Sequence, residues 1–107
     1  MPYYVYITSN AAGTVLYTGI TADLLYRAFQ HRNKLVRGFT SRYNATRLVY
    51  FEEYEYVLDA IAREKKIKAG SRRRKLELIK AMNPHWRDLY EDLLRGEVAD
   101  EEVDRRE

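Results

Sequence analysis

Four side chains in the first third of the chain have the types and spacing for proton-transfer or anion-binding chemistry. Arg27 and His31 are four residues apart in the segment VLYTGITADLLYRAFQHR, which predicts a strand followed by a helix. Side chains at this spacing project from one face of a helix. Tyr17 ends the strand of this segment, and Tyr6 lies beside it if the first two strands pair in a regular hairpin. Two phenols, a guanidinium and an imidazole would then converge.

Each of these residues also has an ordinary structural interpretation. Tyrosines in strands usually pack half-buried, and the chain has ten tyrosines. An arginine and a histidine one turn apart usually form a solvated helix edge. Glu64 in DAIAREKKIKAG can pair with Lys68 at i+4 as a surface glutamate. Only the combination of these residues indicates a catalytic site.

Three segments have the composition of β-strands. Residues 3–9 and 14–20 contain alternating β-forming residues and predict a hairpin whose four-residue loop includes Gly13. Residues 47–54 predict a third strand. Gly19 is expected to let the backbone turn tightly into the helix that follows.

The remaining segments predict helices and one basic loop, RGFTSRYNAT, at residues 37–46. Helical spacing predicts that Leu24, Leu25, Ala28 and Phe29 form one apolar stripe. The first predicted helix is capped by Thr21 or Asp23 and runs to about Lys34. The second lies in YVLDAIAREKKIKAG and ends at Gly70, with apolar residues at Val57, Leu58, Ile61, Ala62 and Ile67. The third is RRRKLELIKAM after the cap Ser71, and a short fourth helix begins at Pro84, with Trp86, Leu89 and Leu93 as its apolar stripe. These elements predict an α+β domain with a small, mainly antiparallel three-stranded sheet flanked by helices.

Length and composition predict one folded domain, residues 1–95, followed by an acidic and flexible segment, residues 96–107. The chain has no cysteine, which excludes disulfides and thiolate zinc sites. It also shows no signal peptide and no apolar run long enough to cross a membrane. We therefore expect a soluble, cytoplasmic protein.

The charge is divided unevenly along the chain. Residues 1–82 contain fifteen Lys and Arg against seven Asp and Glu, whereas residues 83–107 contain four against nine. A basic body of this kind suggests a polyanionic partner, most often nucleic acid. Basic ribosome-associated domains and domains that bind acidic proteins have the same composition.

The spaced residues resemble those of a known family. The chain has YVY at residues 4–6, YTG at residues 17–19 after ten intervening residues, then Arg27, His31 and Glu64. This arrangement is similar to the GIY-YIG nuclease superfamily, in particular its small single-domain UPF0213 or YhbQ-like group, over residues 2–93. The closing NPHWRDLYEDL is also similar to the end of that group. The first triplet has Tyr where the motif has Gly, and the second has Thr where it has Ile.

The resemblance implies a metal-dependent endonuclease that hydrolyses phosphodiester bonds in DNA. Structured or damaged DNA, as in DNA repair, is the expected substrate because the chain has no room for a separate sequence-reading domain. By this resemblance, Tyr6 is the general base, and Tyr17 positions the water or the phosphate. Arg27 binds the phosphate, and His31 orients the phosphate or the base. Glu64 is the ligand of one divalent metal ion, Mg²⁺ or Mn²⁺. Asn83 is a further candidate, although its place before Pro84 favours a helix N-cap.

These roles carry physical requirements. A phenol with a pKa near 10 is scarcely ionised at pH 7, so Arg27 or the metal would have to lower the pKa of Tyr6. A single carboxylate suits an Mg²⁺ ion that keeps most of its water and binds weakly without substrate. We therefore expect Tyr6, Tyr17, Arg27 and Glu64 to share one solvent-open hollow.

Further basic residues are interpreted as nucleic-acid contacts. Phe39 and Tyr43 alternate with arginines in the basic loop, so this loop could contact phosphates and stack on an exposed base. The predicted contacts are Arg37, Arg42 and Arg47 in or beside the loop, and Arg72, Arg73, Arg74 and Lys75 on the predicted helix RRRKLELIKAM.

Two alternatives stay open at this point. The domain could bind nucleic acid with little or no catalysis, or it could dock an acidic partner with its own acidic segment shielding the basic helices. We expect DNA rather than RNA as the partner, no membrane association, and a monomer or weak dimer.

Overall fold

A three-stranded antiparallel sheet forms the centre of the computed structural model, which describes residues 1–96. The strands are β1 (Tyr3–Ser9), β2 (Leu16–Thr21) and β3 (Arg47–Tyr54), in the order β2-β1-β3. The helices are α1 (Leu24–Arg32), α2 (Phe39–Arg42), α3 (Val57–Ala69), α4 (Arg72–Met82) and α5 (Leu89–Arg95). The predicted fold class is therefore confirmed, whereas the predicted acidic segment lies, from residue 97 onward, outside the described residues.

Helices cover both faces of the sheet because the strands bury apolar side chains on both faces. One core cluster joins the sheet to α3 and α4 and contains Val5, Ile7, Val49, Tyr50, Ala60, Ile67 and Ile79. The other joins it to α1 and α5 and contains Tyr6, Leu24, Ala28, Leu48, Phe51 and Leu89. The pairing of β1 with β3 shifts register between Ile7 and Thr8, so that Val49 and Tyr50 both contribute to the first cluster.

Several predicted boundaries are wrong for local reasons. The hairpin loop spans residues 10–15 because the Asn10 side chain accepts hydrogen bonds from the backbone N–H groups of Thr14 and Val15. The basic loop contains the one-turn helix α2, which Gly38 precedes without a side-chain cap. Helix α1 begins after the cap Asp23 and ends at Arg32, two residues earlier than predicted.

The apolar stripes were also predicted too broadly. Leu24 and Ala28 are buried, but Leu25 and Phe29 are exposed because they lie on the solvent side of α1. On α3, the residues that reach the core are Ala60 and Ile67, whereas Val57 and Leu58 are exposed.

The last helix does not begin at Pro84. Asn83 is buried and ends α4, where its side chain donates to the carbonyl oxygens of Val49 and Arg87 and accepts from the backbone N–H of Arg87. These bonds hold residues 84–87 in a non-helical turn, so α5 starts only after Asp88 caps it. The predicted N-cap role of Asn83 is therefore wrong. Trp86 and Leu93 pack against different core clusters, on opposite faces of the sheet, rather than forming one helical stripe.

None of the helices described for residues 1–96 is long and apolar enough to cross a bilayer.

Candidate active site

A buried hydrogen-bonded chain joins β1, α1 and α2. The Tyr6 hydroxyl lies 2.8 Å from His31 Nε2, and His31 Nδ1 lies 3.1 Å from the Thr40 hydroxyl. Neutral imidazole carries one donor and one acceptor nitrogen, so this geometry is satisfied when Tyr6 donates to Nε2 and Nδ1 donates to Thr40. Thr40 therefore fixes the ring of His31 from the side opposite Tyr6.

Gly19 provides the space that Tyr6 occupies. It pairs directly with Tyr6 across β1 and β2, and a Cβ atom on Gly19 would lie 2.5 Å from both Cζ and Oη of Tyr6. The prediction that Gly19 turns the chain is wrong, because the strand continues to Thr21. The glycine is needed because any side chain would displace the phenol.

Tyr17 is the diagonal neighbour of Tyr6 rather than its direct partner. Its cross-strand partner is Thr8, yet its ring centroid lies 6.4 Å from that of Tyr6 and 5.8 Å from that of His31. The predicted convergence of the two phenols with the imidazole is therefore present. Tyr17 is only half-buried, so it forms the outward side of this group.

Arg27 lies on the same helix as His31, and its positive charge disfavours protonation of the imidazole. Burial, and then the positive charge of Arg27, lower the pKa of His31 to about 4. Arg27 is half-buried and makes no ion pair within residues 1–96. His31 is thus neutral near pH 7, and the guanidinium of Arg27 is free to bind an anion.

Tyr6 does not have the lowered pKa that a phenol needs to act as a general base near pH 7. Burial raises its pKa well above the usual value, and the phenol of Tyr17 raises it further. The charge of Arg27 opposes this effect, while that of Glu64 adds to it. Both charged groups are therefore within electrostatic range of the Tyr6 hydroxyl, but a free phenolate is unfavourable here.

Glu64 reaches this group from α3. Its carboxylate is 13% exposed and lies 2.9 Å from Lys68 Nζ, which in turn lies 5.9 Å from the centroid of the Tyr17 ring. The preceding residue, Arg63, makes two hydrogen bonds of 2.9 Å with the carboxylate of Glu52 on β3. This paired contact fixes α3 against the sheet immediately before Glu64.

The donor set available to a metal ion is small. No three His, Cys, Asp or Glu side chains in the described part of the chain form a group that could hold a metal. Glu64 alone fits an Mg²⁺ ion that retains most of its water, because such ions need only one or two protein carboxylates. In this structure the carboxylate of Glu64, which the ion would use, is paired with Lys68.

The expectation of a single solvent-open hollow is wrong for part of the group. Tyr6 is 3% exposed and His31 is 1% exposed, because α1 packs directly over this face of the sheet. Tyr17 and Arg27 remain accessible at the rim. Asn83, the other candidate, lies in the buried turn described above, where all its polar contacts are with backbone atoms.

The predicted nucleic-acid contacts differ in their availability. Arg37, Arg42, Arg72, Arg73 and Arg74 are exposed, whereas Arg47 and Lys75 are half-buried. Four of these seven residues have intramolecular contacts: Arg47 with the Trp86 carbonyl, Arg72 with the Gly13 carbonyl, Arg73 with Glu77, and Lys75 with the Lys68 carbonyl. A groove of about 760 Å³ between α3 and α4 is lined by Arg74 and Lys75, but by none of the candidate catalytic residues.

Two residues of the site were missed from the sequence. Thr40 lies nine residues after His31 in a segment that predicted only a loop, and no sequence signal marks it. The i+4 spacing of Lys68 from Glu64 predicts only a surface ion pair. The basic residues around Glu64 on α3 are the signal that indicates a cation beside its carboxylate.

Comparison with known proteins identifies relatives over most of the chain. The family model described as the GIY-YIG catalytic domain matches residues 2–77. A UPF0213 protein of Staphylococcus saprophyticus is 36% identical over 77 residues, which cover 72% of this chain and 93% of that protein. A UPF0213 protein of Staphylococcus aureus is 37% identical over 78 residues, covering 73% and 94%.

A solved structure agrees with these matches. The solution NMR structure of the UPF0213 protein BH0048 from Bacillus halodurans has a TM-score of 0.53 and 28% identity, and the match covers 82% of this chain and 93% of that one. The matched region contains both tyrosine triplets, the helix with Arg27 and His31, and Glu64. The chain therefore belongs to the GIY-YIG nuclease superfamily and, within it, to the UPF0213 group.

Proposed function

We propose that this protein is an Mg²⁺- or Mn²⁺-dependent endonuclease that hydrolyses phosphodiester bonds in structured or damaged DNA. The observation that carries the proposal is the hydrogen bond between Tyr6 and His31, made beside Tyr17 and within electrostatic range of Arg27 and Glu64. A fold needs no such concentration of polar groups in its interior, whereas phosphodiester hydrolysis needs a proton acceptor and positive charge at one place.

The hydrogen-bonded pair can take the proton of the attacking water without forming a phenolate. The water attacks phosphorus at the accessible rim beside Tyr17 and Arg27, so the buried Tyr6 oxygen accepts its proton from that side, and the phenolic proton of Tyr6 passes to His31 Nε2. The raised pKa of Tyr6 favours this concerted path over prior ionisation. Thr40 keeps Nδ1 engaged, so Nε2 remains directed at Tyr6.

Arg27 and Tyr17 lie at the accessible rim and are the groups that meet the phosphate. A phosphate bound to Arg27 offsets the positive charge that lowers the pKa of His31. Substrate binding would therefore make His31 a better proton acceptor than it is in the free protein. This coupling assigns Arg27 a role in the acid–base chemistry as well as in binding.

Glu64 is the side chain that would hold the metal ion. A divalent cation bound there would neutralise charge on the phosphoryl oxygens and assist departure of the leaving oxygen. Because Lys68 already pairs with this carboxylate, we expect the free protein to bind metal weakly.

A cleavage panel tests the proposal. Purified protein is incubated with Mg²⁺ or Mn²⁺ and with single-stranded, duplex, flap and junction DNA, together with RNA of the same sequences. We expect cleavage of DNA, and at least about 100-fold slower cleavage by Arg27→Ala. The proposal fails if no DNA substrate is cut at any salt concentration.

A second candidate function has specific support. The burial of Tyr6 and the occupation of Glu64 by Lys68 suit a nucleic-acid-binding module with little or no catalysis. Such a module would bind DNA in a salt-sensitive way, without dependence on Glu64. The cleavage rate and the DNA affinity of Glu64→Gln, measured side by side, separate the two candidate functions, because only a nuclease would lose cleavage in this variant while it keeps its affinity.

A further inference from the structure

A row of three aromatic rings leads outward from the candidate active site. The ring centroids of Tyr17 and Phe39 are 6.2 Å apart with an interplanar angle of 28°, and those of Phe39 and Tyr43 are 4.9 Å apart. Tyr17 is also the neighbour of His31. The row therefore begins at the polar group of the site and ends on the protein surface.

The outer two rings of this row do not stabilise the core. Phe39 is 47% exposed and Tyr43 is 48% exposed, and neither packs into the two core clusters formed by residues 1–96. Helix α2, which carries Phe39, is nevertheless fixed in place, because its buried Thr40 contacts His31. Adjacent exposed apolar rings on a fixed element are typical of a binding surface.

The charge beside these rings selects the class of ligand. Exposed Arg37 and Arg42 are on the same segment, and residues 33–46 contain no acidic residue. Aromatic rings interleaved with cations bind single-stranded nucleic acid, since the rings stack on bases while the cations contact phosphates. An apolar ligand without negative charge would make no use of the two arginines.

We infer that Phe39 and Tyr43 form a stacking platform for an unpaired nucleobase adjacent to the phosphate bound at Tyr17 and Arg27. A base inside a duplex has both faces covered by its neighbours, so only an unpaired, terminal or flipped base can stack on a protein ring. The platform thus selects substrates with single-stranded character, such as overhangs and flaps. Its position relative to the phosphate rests on the proposed function, but stacking itself does not require hydrolysis.

Fluorescence of an oligonucleotide that contains one 2-aminopurine tests the platform without catalysis. The full-length protein is titrated, in buffer with EDTA, into single-stranded and fully paired versions of one sequence. We expect quenching of the unpaired probe on binding, and roughly 5- to 150-fold weaker binding of the single strand by Phe39→Leu. Affinity for the blunt duplex should change less than about twofold.

Matched variants keep the result specific. Phe29→Leu is the control, because Phe29 is a similarly exposed ring in a separate stacked pair with Tyr26 on α1. Phe39→Trp should retain affinity, since it keeps a stacking surface. Phe39→Leu should leave the slope of log K against log salt unchanged, whereas Arg42→Gln should reduce it by about 0.7.

The inference is overturned if Phe29→Leu and Phe39→Leu weaken binding equally, if the duplex loses as much affinity as the single strand, or if 2-aminopurine is not quenched. Circular dichroism of each variant confirms that it is folded, and Tyr43→Leu provides a second test if Phe39→Leu is not. Absence of cleavage with Mg²⁺ or Mn²⁺ would contradict the proposed hydrolysis but would leave these binding results interpretable.

Discussion

Replacement of Gly19 by alanine should displace the Tyr6 ring and disrupt its hydrogen bond with His31. The added Cβ atom would lie 2.5 Å from Cζ and Oη of Tyr6 and 2.9 Å from its Cε2, so the phenol must move. Tyr6 is buried under α1 and cannot swing into solvent. Overpacking of this kind costs about 1–3 kcal/mol. Loss of the hydrogen bond from Tyr6 to His31 adds about 1 kcal/mol.

The free energy of unfolding should therefore fall by about 2–4 kcal/mol in Gly19→Ala. Urea unfolding followed by the fluorescence of the single tryptophan, Trp86, measures this change. Gly70→Ala is the matched control, because Gly70 has a φ of −74° and a Cβ there would come no closer than 3.3 Å to another atom. We expect the control to lose less than about 1 kcal/mol.

A double-mutant cycle identifies the cause of the loss. Tyr6→Leu removes the ring that the new methyl group meets, so Gly19→Ala should cost less in that background, with a coupling energy of about 1–3 kcal/mol. The reasoning is refuted if Gly19→Ala costs no more than Gly70→Ala, or if its effect and that of Tyr6→Leu are simply additive.

Two further predictions concern the charges around the site. Because the pKa of His31 is lowered to about 4, the unfolded chain binds its proton first as the pH falls, and the free energy of unfolding should drop by about 1–3 kcal/mol between pH 6.5 and pH 4. His31→Gln should flatten this part of the stability profile measured by urea unfolding at each pH, and a profile as steep as that of the wild type would contradict the assignment. Lys68→Ala should raise the affinity of the free protein for Mn²⁺ about fivefold in calorimetry, because Glu64 loses its competing cation. Lys65→Ala, a change of an exposed lysine on α3, is the control, and the same increase there would refute the role of Lys68.

The regular elements were predictable because their signals are local. Alternation marked β1, β-branched and aromatic content marked β3, and the Ser71 cap marked the start of α4. The start of the last helix, in contrast, depends on a contact distant in sequence. Asn83 bonds the Val49 carbonyl, 34 residues away, and thereby delays the last helix in a way that the local Asn-Pro pattern does not reveal.

The aromatic centre of the candidate site was predictable in its membership but not in its exposure. Strand pairing and helical spacing bring Tyr6, Tyr17 and His31 together, as the sequence indicates. Whether that group lies open or buried depends on how α1 packs over the sheet, which residue types alone do not determine. Thr40 could not be found for the same reason, because its contact with His31 exists only once α1 and α2 are brought together in the fold.

Single-turnover cleavage by the wild type and by Glu64→Gln tests the central proposal most directly. One flap DNA is used with Mg²⁺, and affinity is measured in parallel by fluorescence anisotropy. We predict that Glu64→Gln binds within about threefold of the wild type but cleaves at least about 100-fold more slowly. Cleavage by Glu64→Gln at the wild-type rate, or tight binding by both proteins without cleavage by either, would contradict phosphodiester hydrolysis at this site.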